Sequence, residues 1–255
     1  MKVVVTTLAR NEERIIPYFI HHYAQIADVI CLYDHESTDD TVKIATEVAE
    51  KVNVGLQVIT VPNKGFDDEL SRQVKENAYK PYRAADTIVM TVDADELFHH
   101  PDGTRKVLEC LHKEHGSSLA IKPKGYQLVS LQFPDYYGCP ITEVVTEGVR
   151  DEGFDKAACF SSELSLSMGY GMHNSAHYLN GETVPQLAET GMMLLHCKFL
   201  GAAHRVERNR ASANNLSPFG KRLLDAGIGI QFRATDEQLE GEYQGVWDRR
   251  KPLKL

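Results

Sequence analysis

The first hundred residues alternate short continuous apolar runs with longer stretches in which apolar positions recur every three or four residues. That order specifies strands and helices laid side by side in a parallel sheet. Val3 to Leu8 reads as a buried strand. From Glu13 to Ile26 the side chains Ile15, Ile16, Phe19, Ile20, Tyr23 and Ile26 keep a helical spacing, with Pro17 tolerated because it falls in the opening turn. Val29 to Tyr33 is a second strand. Ser37 and Asp40 have capping-box spacing ahead of a helix whose inner stripe is Val42, Ala45, Val48, Ala49 and Val52. A third strand spans Leu56 to Val61, a helix runs from about Asp67 to Tyr79, and a fourth strand, Thr87 to Val92, delivers Asp93-Ala94-Asp95-Glu96.

Beyond Gly103 a short helix marked by Val107, Leu108 and Leu111 leads to a strand-like Ser118–Lys122. The pattern then becomes irregular. Gly, Pro, Tyr and Asp crowd Pro134 to Gly153, and strand-like pieces recur near Gln127–Leu131 and Met192–Leu200. No Pro/Gly/Ser-rich linker divides the chain, so the expectation is one α/β domain over residues 1–255. Its parts would be a ligand-binding half (1–100), a second half facing an acceptor (101–240) and a basic tail (241–255).

Composition adds limits to this picture. With 42% apolar and 25% charged residues in 255, the chain can bury a real core. No apolar run reaches the roughly 20 residues of a spanning helix, and no secretory segment follows Met1, which reads as cytoplasmic. Five scattered cysteines, Cys31, Cys110, Cys139, Cys159 and Cys197, fit reduced core thiols rather than a disulfide or thiolate metal framework. A net charge of −8 disfavours nucleic acid and means that a phosphate-bearing ligand would need a cation beside it. The late basic residues Arg249, Arg250, Lys251 and Lys254 read as a frayed tail, or at most as a peripheral contact with an anionic membrane.

The chemistry concentrates at strand ends. Asp93 and Asp95 stand two apart, and in an extended segment such residues share a face about 6–7 Å apart, where one hard cation can be held. The first strand runs into Ala9-Arg10-Asn11-Glu12 and the second into Asp34-His35-Glu36-Ser37-Thr38-Asp39-Asp40-Thr41. In open α/β sheets ligands sit beyond the carboxyl ends of strands, and acidic side chains accept hydrogen bonds from ribose hydroxyls, so these loops together describe a nucleotide site.

These stretches resemble family 2 glycosyltransferases of the GT-A fold: Leu8-Ala-Arg-Asn11-Glu12-Glu13, Tyr33-Asp34-His-Glu-Ser37-Thr-Asp39-Asp-Thr41, and Val92-Asp93-Ala-Asp95-Glu96 as the DxD motif. The resemblance covers about the first hundred residues. It implies a Rossmann-like, mostly parallel sheet with helices on both faces, and a metal-dependent transfer of sugar from a nucleoside diphosphate sugar, most readily a UDP-sugar. The acceptor would be a glycan, a lipid-linked or a small hydroxyl compound, as in polysaccharide assembly. By the same resemblance Asn11 and Asp34 contact base or ribose, Asp93 the ribose or metal, and Asp95 holds Mn²⁺ or Mg²⁺ against the pyrophosphate. Lys64-Gly65-Phe66 with Arg72 and Gln73 would close over the nucleotide.

A third metal ligand is expected from a late histidine, either His196, at the end of the run Met192–Leu195, or His173, in a glycine-rich loop. Inverting transfer needs a carboxylate base, which family 2 enzymes draw from a downstream Glu-Asp pair. No Glu-Asp pair follows Glu96, so Glu163 and Glu189 stand in by position alone. Arg205 and Arg208, three apart on a helix after Gly201, could reach the pyrophosphate. Two rivals remain: a sugar nucleotidyltransferase, disfavoured because no glycine-rich basic loop follows the first strand, and a nucleotide- or sugar-binding module without activity.

Overall fold

The computed structural model of the protein describes residues 1–66, 68–136, 138–169 and 174–255. In chain order its first half holds β1 (Lys2–Ala9), α1 (Ile16–Ala24), β2 (Val29–Asp34), α2 (Thr41–Val52), β3 (Gly55–Thr60), α3 (Asp68–Ala78), β4 (Thr87–Asp93), β5 (Glu96–His99) and α4 (Thr104–His115). Then come β6 (Ala120–Ile121), β7 (Lys124–Ser130), β8 (Glu147–Arg150), β9 (Cys159–Ser161), β10 (Ser165–Ser167), β11 (Ala176–Leu179) and β12 (Glu182–Val184). The chain closes with β13 (Met193–Leu200), α5 (Ala202–Asn214), α6 (Pro218–Asp225), α7 (Asp236–Trp247) and β14 (Lys251–Pro252).

The α/β class is as the alternating pattern predicts. A six-stranded sheet runs β3-β2-β1-β4-β9-β6; its first four strands are parallel, and β9 joins β4 antiparallel. Strands β1, β2 and β4 are continuous apolar runs because helices cover the sheet, and Val3–Val5, Ile30–Leu32 and Ile88–Met90 are fully buried. β3 is the edge, and only Leu56 and Ile59 are partly covered while the rest lie open, so the third strand is less enclosed than its sequence implies. α1 begins at Ile16 rather than Glu13, since Pro17 has no amide hydrogen to donate and fits only the first turn.

The second half is more regular than its composition suggests. It builds a five-stranded mixed sheet, β14-β8-β7-β13-β5, and a small sheet of β10, β11 and β12. The last residues are not a loose tail. Lys251 and Pro252 pair with Gly148 and Glu147, Leu253 and Leu255 pack on the core, and Arg250 lies 3.6 Å over the Trp247 ring while bonding Glu147 at 3.0 Å. Cys31, Cys159 and Cys197 fill the core as expected, but Cys110 is exposed on α4. No helix among the described residues is long and apolar enough to cross a membrane.

Candidate active site

Strands β2 and β3 lie on one side of β1, and β4, β9 and β6 on the other, so the connection order reverses between β1 and β4. Outside the carboxyl ends at such a reversal an open α/β sheet leaves a crevice. The register Leu8↔Asp93 sets the loop after β1 beside the acidic motif at the end of β4. There β4 leaves the first sheet, turns through Ala94 and Asp95, and enters the second sheet as β5 at Glu96. The Cys197 amide donates to the Asp95 carbonyl at 2.8 Å, which seats Asp95 next to β13 and His196.

This turn separates the two aspartates. Asp93 receives the Lys75 ammonium at 2.6 Å and that of Lys156 at 4.0 Å. Asp95 Oδ2 instead meets His196 Nε2 at 3.0 Å and Arg208 Nη1 at 2.5 Å. The two carboxylates therefore do not present one shared face, because the segment is a turn at this point and not extended strand. The other Arg208 nitrogen bonds Glu12 at 2.7 Å, and Lys156 bonds the fully buried Glu96 at 2.5 Å. Four acids and three permanent cations thus interlock in one corner, which is how buried charge is tolerated.

Burial works to raise the Asp95 pKa, but Arg208 and His196 outweigh it and hold the group well below the ordinary carboxylate range. Asp93 is also lowered, by Lys75 and Lys156 acting against burial. Glu12 goes the other way. Burial pushes it up to about 7, Arg208 pulls down, and the neighbouring Asp95 and Asp93 add to the rise.

His196 is fixed from behind. Gln127 Oε1 lies 2.9 Å from His196 Nδ1, while Gln127 Nε2 donates to Asp151 at 2.9 Å, which sets the amide orientation. Nδ1 therefore carries a hydrogen for Gln127, and Nε2 donates a second to the Asp95 carboxylate. Phe154 stacks on the imidazole at 4.2 Å. An Asp–Gln–His chain of this kind is the outer support that metal-binding histidines use.

The remaining expected residues serve elsewhere. Asn11 spends its side chain on Thr38, accepting from the amide at 2.8 Å and donating to Oγ1 at 3.2 Å. Asp34 accepts from the Ser37 amide, and Ser37 accepts from the Asn11 amide, so no Ser37–Asp40 capping box forms. These side chains brace the two loops against each other, with Asn11 and Glu36 at positive φ (54° and 48°), local strain of the kind that gathers at ligand sites. Arg72 is clasped by Glu69 and Glu76 on its own helix, and Gln73 also bonds Glu69. At Gly65 (φ +88°) a Cβ would stand 2.6 Å from the Ser217 backbone, and the Phe66 amide bonds the Asn215 carbonyl, so this segment is fastened to the chain between α5 and α6. Arg205 turns to Glu242 at 2.7 Å; of the two arginines, Arg208 faces the corner. His173 lies outside the described residues.

The structure does not bring Glu163 or Glu189 to the corner. Glu163 bonds Ser117 just past Ser161, which pairs with Ile88 at the far end of β4, roughly 16 Å of strand from Asp93. Glu189 is 84% exposed and pairs with Lys124 on the rim. The side chains in or behind the corner that the sequence did not single out are Lys75, Lys156, Gln127 and Asp151, while Glu12 entered only as part of the loop after β1. The Asp151-Glu152 pair was visible in the chain, but in the reverse order to the Glu-Asp sought.

A divalent cation can be tested against these distances. Among the described residues no three His, Cys, Asp or Glu side chains gather into a metal cage. Two donors do suffice for a diphosphate-bound ion, since Mg²⁺ commonly takes one or two protein ligands and fills its octahedron with phosphate oxygens and water. Bonds of about 2.1 Å at right angles place neighbouring ligand atoms about 3 Å apart, and Asp95 Oδ2 and His196 Nε2 are 3.0 Å apart. That spacing is compatible with adjacent corners of such an octahedron; in the structure it is a hydrogen bond, and Arg208 holds the same Asp95 oxygen.

No family model and no curated protein matches the chain. Solved structures similar to it include S. aureus TarS residues 1–349 in complex with UDP, at 17% identity and a TM-score of 0.47, covering 84% of this chain and 65% of that one. The longer TarS structure matches at 16% identity and the same TM-score of 0.47, over 84% of this chain and 39% of its own. Glucosyl-3-phosphoglycerate synthase from M. tuberculosis, with Mg²⁺ and UDP, matches at 20% identity and a TM-score of 0.31, over 49% of this chain and 43% of that one. The chain therefore spans less than two thirds of the length of each of these proteins.

Proposed function

We propose that the protein is a metal-dependent glycosyltransferase that moves a sugar from a nucleoside diphosphate sugar, UDP by the motif resemblance, to a hydroxyl of a glycan, lipid-linked or small acceptor. One observation carries the reading. The acids Asp93 and Asp95, the histidine His196 and the cation Arg208 converge outside the sheet at the reversal between β1 and β4, where a nucleotide's phosphates would lie.

Asp95 and His196 are the residues that would hold Mn²⁺ or Mg²⁺, which when bound supplies Lewis-acid stabilisation of the charge that collects on a departing diphosphate. Asp93 is held by lysines and keeps 36% of its side chain open, which suits a hydrogen bond to a ribose hydroxyl. Arg208 is the donor for the diphosphate. Its guanidinium has a second carboxylate, Glu12, to rest against when it leaves Asp95. For the acceptor proton the reading assigns Asp151 in place of Glu163 and Glu189. Asp151 lies one amide away from His196 and is held by Gln127 Nε2 and the Gly153 amide. A carboxylate acting from the acceptor side gives inversion at the sugar carbon.

The test is calorimetric titration of UDP in Mn²⁺ and then in EDTA, followed by a hydrolysis panel of sugar nucleotides. The reading expects UDP binding that weakens in EDTA and in Asp95→Asn, and slow metal-dependent hydrolysis of one donor. UDP binding indifferent to both chelator and substitution would remove it.

A further inference from the structure

Away from the acidic corner, the second sheet carries a cavity of about 560 Å³ that the transferase reading does not use. Lys124, Arg150, Arg249, Lys251 and Lys254 line it, and among the described residues no acidic one does. In a chain of net charge −8 this is a local inversion of sign. Gathering five cations raises their mutual repulsion, and an entering anion relieves it. Two of the five already have a carboxylate, with Glu189 on Lys124 at 3.2 Å and Asp155 on Arg150 at 2.6 Å, but neither acid faces the cavity.

Alternation along the strands separates this cavity from the active corner. Gln127 faces His196, so Lys124 and Tyr126, three and one residues before it on β7, both project from the opposite side of the strand. The cavity therefore opens on the face behind the histidine. Its outer wall is the closing segment of the chain. That wall is firmly seated: β14 pairs with β8, the Leu253 amide bonds the Thr146 carbonyl at 2.8 Å, and Arg250 clamps Trp247 and Glu147. The seat needs glycine at 148, where a Cβ would stand 2.6 Å from the Gln127 carbonyl oxygen and 2.7 Å from Leu253.

We propose that this cavity binds a small multivalent anion carrying a ring, of the class of phosphorylated or carboxylated sugars. Its charged groups meet Lys251, Lys254 and Arg249, and its ring lies against Tyr126 and Met193. The volume falls within the roughly 300–1,000 Å³ of discrete ligand sites. A flat bilayer would not fill a concave space walled by Pro252 and Leu253. The proposal does not depend on the transferase reading.

The test is calorimetry on the full chain in EDTA with two probes, glucose 1,6-bisphosphate and glucuronic acid, which separate phosphate from carboxylate recognition. Vesicles of phosphatidylcholine with and without phosphatidylglycerol form a third arm. Lys251 and Lys254 are exposed, so the double variant K251E/K254E keeps its fold, checked by an unchanged melting temperature. The sole tryptophan, Trp247, sits under Arg250 beside the cavity wall and gives a second readout by fluorescence. The expected result is saturable binding of at least one probe, weakened tenfold or more in K251E/K254E and changed less than twofold in Arg208→Gln. Three results overturn it: no saturable binding of either probe, binding lost in Arg208→Gln but kept in K251E/K254E, or association with anionic vesicles alone.

Discussion

Arg208→Gln should make the protein bind Mn²⁺ more tightly and UDP more weakly. In the structure Arg208 Nη1 is 2.5 Å from the Asp95 oxygen that would hold the ion. A doubly charged ion one bond from that oxygen would stand within about 5 Å of the guanidinium, and at an effective dielectric near 20 the repulsion is about 7 kcal/mol. That exceeds what a single charge-assisted hydrogen bond contributes, about 1.5–3 kcal/mol, so metal and arginine exchange rather than coexist. Without UDP the wild type must break the Arg208–Asp95 bond before the ion can enter. Removing the arginine spares that step, which at about 1.4 kcal/mol per decade is a gain of roughly ten- to a hundredfold in Mn²⁺ affinity. With UDP present the diphosphate takes the guanidinium, so wild-type Mn²⁺ affinity should rise on adding UDP, and this coupling should shrink in the variant. Titration of free Mn²⁺ by electron paramagnetic resonance, with and without UDP, measures all three quantities. Equal or weaker Mn²⁺ binding by Arg208→Gln in the absence of UDP would refute the exchange.

Other consequences concern the supports of the corner. Lys156→Ala leaves the fully buried Glu96 without its cation and should lower unfolding free energy by about 3–5 kcal/mol in urea, whereas the double change with Glu96→Leu should lose markedly less. Glu12 is raised from 4.5 to about 7 in the folded protein, so the native state binds its proton more tightly than the unfolded chain does. Stability should therefore fall as pH rises from about 4.5 to 7. Glu12→Gln should abolish that slope, worth about 3 kcal/mol across the window. Gln127→Leu removes the partner of His196 Nδ1 and should weaken Mn²⁺ binding in the presence of UDP by ten- to a hundredfold, with little change in UDP affinity measured in EDTA.

The parallel half of the fold was legible because burial on both sheet faces writes itself as apolar runs such as Val3–Leu8 and Thr87–Val92, and because α2 keeps a clean helical stripe. Strand β8 and the pairing of β14 were not, since Glu147-Gly-Val-Arg150 and Lys251-Pro252 are short and polar and owe their conformation to a distant partner strand. The site divided along the same line. Asp95 and His196 could be named from their place at the ends of apolar runs, and the structure sets them 3.0 Å apart. Lys75 and Lys156 could not be, because a lysine on a helix or in a loop reads as a solvated side chain until packing buries it, here to 2% and 3% exposure. Asn11 and Asp34 sit in the loops expected of them, yet their polar atoms are engaged with Thr38 and Ser37, a use that depends on how the two loops meet.

The account stands on Asp95 and His196 sharing one ion that faces a diphosphate. Anomalous diffraction at the manganese edge, from crystals grown with Mn²⁺ and UDP, addresses this directly. The account predicts a single strong peak about 2.1–2.2 Å from Asp95 Oδ2 and His196 Nε2, in contact with diphosphate oxygens and with Arg208 turned onto the diphosphate. A peak elsewhere, or bound UDP with Arg208 still on Asp95 and no metal beside it, would contradict the account.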